Sequence, residues 1–443
     1  MIKNSIYIII WTLKRLGYIK KELKNLYQKV IYQPKSRFML ESWDAPSCPL
    51  EVIKFYSFWG RVGFAMREYI ALLSGGKIFK KRIALDGYDS IDIASLYKEG
   101  SDSVPWPKPP LVELYKREVD SSIFYTIEQS YHLANEKDPD RFDRAKWWQE
   151  MSDRFRDEIF TNGKINQEYL INFRVMKEMP TILVKSHFLV VNREYGYLKS
   201  YLKAIDLVLE YHRHAQIVKK EILFSISESY AGNNLAVNYR GIRLSIPILF
   251  HSVMVDNILT HTHLESEALA PKKTIMEIGA GYGGLARILK TYIPNSSYIL
   301  IDLPETLCYT AYFLTYNFPN KKIAHLSDII DRIDEFSSII EEYDFILLPP
   351  WVTKYIPNSS VDLVIDTYSM SEMSEIYAKY YIEQIDRTLT VGGYFYSINK
   401  RFKRESDKLP FYEWKFKSKF NTLLYDYSKY IHPQWLGRKI ENN

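Results

Sequence analysis

The chain has 443 residues, too many for one ordinary core, so two domains are expected. Its 47% hydrophobic and 25% charged residues are globular values, which exclude disordered and fibrous classes. The net charge of +6 sits within the first 30 residues, in Lys3, Lys14, Arg15, Lys20, Lys21, Lys24 and Lys29 against Glu22. The remainder is balanced, so neither a broad basic face nor a nucleic-acid partner is expected. Two cysteines, Cys48 and Cys308, with no C-x-x-C pair, argue against a structural zinc site.

Residues 1–30 read as an amphipathic basic helix, with apolar side chains at 2, 6, 9, 13, 16, 23, 27 and 30. The apolar run Ile6–Leu13 is far short of the ~20 residues a bilayer span needs. No small-residue cleavage site follows it, so a cytoplasmic chain is expected. This segment would either pack as a first helix or lie on the inner face of a membrane, held by its lysines.

Residues 31–264 are expected to form a mostly helical region that covers the functional site of the domain after it. Helices are predicted over Gly60–Leu73, Asp140–Phe160, Leu198–Lys220 and Ile242–Leu259. The proline-rich stretch Val104–Pro110 breaks helix, and Glu228–Asn234 is a turn-rich interruption.

After Pro271 the pattern changes. Strands are predicted at Thr274–Ile278, Tyr298–Ile301, Phe345–Leu348, Val361–Ile365 and Tyr394–Ile398, and helices at Gly284–Tyr292, Pro304–Tyr316 and Ser374–Leu389. A sharp turn at Gly392-Gly393 should precede the last strand. Such alternation predicts a doubly wound, mostly parallel α/β sheet over residues 265–405, followed by an extension, 406–443.

The chemistry should lie where the first strand runs into a glycine-rich turn, Glu277-Ile-Gly279-Ala-Gly281-Tyr282-Gly283-Gly284. Glycines suit positive φ and close backbone approach, and a helix N-terminus follows. The G-x-G-x-x-G spacing of Gly279, Gly281 and Gly284 is shared with NAD(P) and flavin sites. Glu277 adds a carboxylate able to meet a cationic amino-acid group. With Gly283, the E-x-G-x-G-x-G run resembles motif I of class I S-adenosylmethionine-dependent methyltransferases. Asp302 closes the second strand, where a carboxylate can accept ribose hydroxyls in either cofactor class, and Leu303 follows it.

Met276–Leu289 with Ile301–Pro304 resembles the bacterial sugar O-methyltransferases encoded with surface-polysaccharide genes. So do Glu228-x-x-x-Gly232-Asn233, Leu347-Leu-Pro-Pro350-Trp351 and the segment from Asp362 through Asp366 to Ser369-Met-Ser-Glu372-Met. Asp366 stands where that family carries Asn. The resemblance implies S-adenosylmethionine as methyl donor and a sugar or glycan as acceptor. It also implies Pro350 and Trp351 near the adenine.

A sugar hydroxyl needs help to lose its proton, from a base or from a divalent metal such as magnesium. The candidate bases are Asp366, Glu372, His325 and Glu228. Two other readings remain open: an NAD(P)-dependent oxidoreductase built on the same glycine loop, and a non-catalytic glycan-binding relative.

Overall fold

The computed structural model describes residues 83–85, 119–138, 146–174, 217–262 (without 235, 240 and 241), 264, 271–399, 409–427 and 433–441, together with Leu207, Tyr211 and His214. The expected helices at 1–30 and Gly60–Leu73, the break at Val104–Pro110, and most of Leu198–Lys220 lie outside the described residues.

In chain order the strands are β1 (Ile83–Leu85), β2 (Phe160–Thr161), β3 (Lys164–Ile165), β4 (Val237–Tyr239), β5 (Ile242–Leu244), β6 (Lys273–Ile278) and β7 (Ser296–Ile301). They continue as β8 (Ile323–Ala324), β9 (Phe345–Leu348), β10 (Val361–Thr367), β11 (Leu389–Ile398), β12 (Lys419–Tyr427) and β13 (Pro433–Glu441). The chain divides into two compact units. One falls within Met1–Leu114, Ser186–Tyr230 and Leu235–Val253, the other within Tyr115–Lys185, Ala231–Asn234 and Met254–Asn443.

In the first unit β1, β4 and β5 form a small antiparallel sheet. The predicted helix Ile242–Leu259 therefore begins late: Ile242–Leu244 is strand, and the helix runs Ile246–Thr262 with Pro247 in its first turn. Pro is tolerated there because first-turn N–H groups have no helical acceptor.

The second unit carries an eight-stranded sheet in the order β12-β13-β11-β10-β6-β7-β9-β8. The six strands from β11 to β8 are parallel, and their central members are almost wholly buried, as strands covered on both faces must be. The predicted α/β core is thus present. Its boundary at residue 405 is wrong, because β12 and β13 extend the sheet antiparallel from β11. The aromatic side chains of this stretch build core: Trp435 lies 5.6 Å from Phe395 and 5.5 Å from Phe420, ring centre to ring centre. Gly392 and Gly393 lie inside β11, at a register shift against β10, and not in a turn before a last strand.

Helices Ser122–Glu136, Lys146–Ile159 and Gln167–Ile171 belong to the same unit and pack around helix Pro304–Asn317. Phe124 stacks on Tyr312, and Phe155 meets Tyr309 edge-on. Met151 and Phe155 of helix Lys146–Ile159 are buried and contribute to the core.

Helix Gly284–Tyr292 buries a lysine. Lys290 is 2% exposed and pairs with Asp344 at 2.9 Å, while Asp344 also meets Lys321 at 3.1 Å. Its Nζ also donates to the Ser296 carbonyl. Truncation would strand these acceptors without their cation. Lys290→Ala should cost about 3–5 kcal/mol in urea unfolding. A loss below about 1 kcal/mol would mean that water or Lys321 replaces the amine.

Candidate active site

β6 delivers the chain into a turn in which Gly279, Gly281 and Gly283 have φ of +74°, +55° and +84°. The turn closes on itself. Gly279 N–H donates to Ile301 O at 2.8 Å, Ala280 N–H to the same oxygen at 3.2 Å, and Gly283 N–H to Ala280 O at 3.0 Å. Gly281 N–H donates to Asp302 Oδ2 at 2.7 Å, and Leu303 N–H to Asp302 Oδ1 at 2.7 Å. The carboxylate expected at the end of β7 therefore holds the glycine turn directly. The Thr306 side chain also hydrogen-bonds to this carboxylate.

Glu277, 2% exposed, accepts a hydrogen bond from Tyr298 Oη at 2.9 Å. Burial pushes its carboxyl up to about 8; the Tyr298 bond opposes this, and the charges of Asp302 and Asp366 add to it. Burial likewise raises Asp302 to about 6 and Asp366 to about 6. Three carboxyls thus stand at the carboxyl ends of β6, β7 and β10. Strand order reverses between β6 and β10, and open α/β sheets bind ligands at such reversals.

Asp366, a candidate base, does not face an open crevice. It is fully buried, and both its oxygens are engaged. Oδ1 accepts from Ser369 N–H and Met370 N–H at 3.3 and 3.1 Å and from the Ser369 hydroxyl, while Oδ2 accepts from Asn399 Nδ2. A carboxylate so tied fixes the turn after β10 and is poorly placed to take a proton from an acceptor. The turn in turn touches the glycine loop: the Ser369 hydroxyl lies 2.9 Å from Ile278 O. No sequence signal marked Ser369, Asn399 or Tyr298 as contacts of these carboxyls.

Glu372 closes the short 3₁₀ turn Met370–Glu372, beside the strand reversal. His325 follows β8 at the far edge of the sheet, with β9 and β7 between it and β6. Its N–H is capped by Asp328, and burial holds the imidazole below its ordinary pKa. It is a buried helix-capping residue, remote from the glycine turn. Glu228 belongs to the other unit, where it is buried and accepts from the Ser245 hydroxyl and from Ser229 N–H at 2.8 Å.

Tyr282, expected at the cofactor, is a packing residue. Its ring lies 5% exposed, edge-on to Phe313 at 4.8 Å. The Arg174 guanidinium covers it at 4.7 Å, and Arg174 is itself 3% exposed. Arg174 N–H donates to Gly232 O at 3.1 Å, and Asn233 Nδ2 donates to Asn172 at 2.6 Å. The Gly232-Asn233 element noted in the sequence thus braces the strip that carries Arg174, a residue that no sequence signal marked. Pro350 opens a 3₁₀ turn after β9, and Trp351 donates its indole N–H to Ala134 O at 3.2 Å, so the indole is anchored to helix Ser122–Glu136.

Among the described residues no group of three or more His, Cys, Asp or Glu is arranged to hold a metal ion. No helix among them is long and apolar enough to cross a membrane.

No protein-family model matches the chain, and no curated protein does. Many solved structures match part of it. One is a SAM-dependent methyltransferase from Aquifex aeolicus, 12% identical, covering 41% of this chain and 88% of that one, with a TM-score of 0.25. Another is an O-methyltransferase family protein from Burkholderia thailandensis, 10% identical over 44% of this chain and 60% of that one, TM-score 0.27. A third is phosphoethanolamine N-methyltransferase 2 of Haemonchus contortus in complex with S-adenosyl-L-methionine, 14% identical over 32% and 27%, TM-score 0.21. The fold itself rests on the strand order: a Rossmann-like, doubly wound sheet ended by an antiparallel hairpin.

Proposed function

We propose that the chain is an S-adenosylmethionine-dependent methyltransferase acting on a hydroxyl of a sugar or glycan. The observation that carries the cofactor class is the trio Glu277, Asp302 and Asp366, buried around a glycine turn. Buried carboxyls with raised pKa values favour a ligand that brings positive charge. S-adenosylmethionine brings two, an ammonium and a sulfonium. A dinucleotide brings a pyrophosphate, which would need free amides at the turn; those of Gly279, Ala280, Gly281 and Gly283 are engaged internally. The antiparallel β13 also stands where a dinucleotide sheet continues parallel.

In this reading Glu277 holds the ammonium and Asp302 the ribose hydroxyls, while Arg174 supplies the carboxylate's counter-charge. The bound cofactor supplies an activated methyl group, so the chain's task is alignment and removal of the acceptor proton. Glu372 is the candidate base that remains beside the strand reversal, with or without magnesium. The sugar acceptor rests on the sequence resemblance, and peripheral membrane contact through residues 2–30 rests on their apolar stripe and flanking basic residues.

Calorimetry with S-adenosylhomocysteine and with NAD tests the cofactor class, and binding of NAD alone would overturn it. Labelled methyl transfer to extracted cell-surface glycans tests the acceptor and separates an enzyme from a glycan-binding relative. Arg174→Met should weaken S-adenosylhomocysteine binding by roughly 10–100-fold, the worth of a charge-assisted hydrogen bond. Binding of 5′-methylthioadenosine, which lacks the amino-acid end, should not change. An equal loss for both ligands would make Arg174 a support of the turn and not a carboxylate contact.

A further inference from the structure

Tyr368 is the feature that the proposed reaction leaves unused. Its φ is +65°, in the left-handed region that side chains with a Cβ avoid. The other non-glycine residues with positive φ among those described are Asn162, Asn233 and Ser359, small polar types that tolerate it better. A bulky aromatic there is strained, and persists only where its surroundings over-determine it.

The surroundings do so. Tyr368 follows β10, on the edge of the strand reversal. Its N–H donates to Ile398 O at 2.7 Å, and the next residue is Ser369, which Asp366 and Ile278 fix against the glycine turn. The phenol lies within electrostatic reach of the Tyr396 hydroxyl. That hydroxyl donates to Gln434 Oε1 at 2.7 Å, and Asn257 Nδ2 donates to the same oxygen at 2.6 Å. Tyr368 is thus half-buried at the carboxyl end of β10, beside a polar cluster of Tyr396, Gln434 and Asn257 that the Asp426 carboxylate also reaches. Burial raises its pKa to about 12, so the phenol stays neutral and can both donate and accept a hydrogen bond.

We propose that Tyr368 contacts the hydroxyl-bearing acceptor, and that its left-handed backbone is retained because it sets the phenol at the carboxyl end of β10. This rests on the methyl-transfer reading.

The test uses the full chain with Tyr368→Gly, Tyr368→Ala and Tyr368→Phe, labelled S-adenosylmethionine and extracted cell-surface glycan. Tyr368→Gly and Tyr368→Ala both remove the ring, so their difference isolates the backbone: the glycine variant should melt at the higher temperature. Both should bind S-adenosylhomocysteine as the parent chain does, and lose about 100-fold or more in methyl transfer. Tyr368→Phe should keep the fold and raise the acceptor KM about tenfold. An alanine variant as stable as the glycine variant would overturn the proposal, as would unchanged transfer in either, or a loss of S-adenosylhomocysteine binding that matches the loss of transfer. If the parent chain transfers no methyl to any glycan, the failure belongs to the proposed function. The melting comparison still decides whether the backbone at Tyr368 is strained.

Discussion

Glu277→Gln is expected to fold as well as the parent chain and to bind S-adenosylmethionine about 100-fold more weakly. Glutamine keeps the shape and can still accept the Tyr298 hydrogen bond. It cannot become an anion, and removing one partner of a buried charge pair typically costs 2–5 kcal/mol, with tenfold in affinity for about each 1.4. The same substitution has a signature in pH. The folded carboxyl titrates at about 8 against an ordinary 4.5. Between those values the folded chain holds a proton that the unfolded chain has lost, so the fold weakens as pH rises through the window, by up to about 1.4 kcal/mol per pH unit. Asp302 and Asp366, at about 6 against 3.8, act in the same direction and are finished by about pH 6. From pH 6 to 8 the slope therefore belongs mainly to Glu277, and the glutamine variant should lack it. Cofactor affinity of the parent chain should rise over the same interval, because the ionised carboxylate is the form that binds a cation. Thermal unfolding from pH 5 to 8.5 with both chains reads the first effect, and calorimetry reads the second. Parallel stability curves from pH 6 to 8 would mean that Glu277 is already ionised in the free protein.

What the sequence made legible, and what it hid, follow from the range of the interactions. β6, β7 and β9 were readable because strands covered on both faces become short runs dominated by apolar residues. The glycine turn was readable because positive φ at Gly279, Gly281 and Gly283 restricts residue type at fixed spacing. The strands β12 and β13 were not, since Lys419–Tyr427 mixes polar and apolar residues and its pairing depends on Trp435 packing against Phe395 and Phe420, contacts made only once the sheet exists. Asp366 was placed at the right strand end and given the wrong task, because the direction of its carboxylate is set by Ser369 and Asn399. Arg174 left no trace at all. Nothing in Asn172-Phe-Arg174 announces that Gly232 and Tyr282 will close around it.

The same long-range dependence makes Gly279 the position where one methyl group should do the most damage. A Cβ there would lie 2.2 Å from Ser369 Cβ and 2.6 Å from Ser369 Oγ, while the backbone sits at φ +74°. The left-handed conformation costs an alanine roughly 1–2 kcal/mol, and forcing an extra carbon into a packed site typically costs about 1–3 more. Ser369 cannot yield cheaply. Its hydroxyl is held between Ile278 O and Asp366, and Asp366 also carries Met370 N–H and Asn399. Gly279→Ala should therefore lower stability by about 2–5 kcal/mol in chemical denaturation and abolish cofactor binding, since the turn that Asp302 holds would move. The two contributions separate in a double-variant cycle. Ser369→Gly removes the atoms in conflict and leaves the φ cost, so Gly279→Ala with Ser369→Gly should be more stable than the sum of the single changes predicts, by about the steric share. Simple additivity would mean that the Ser369 side chain does not oppose the added carbon, and that its contact does not govern this end of β6.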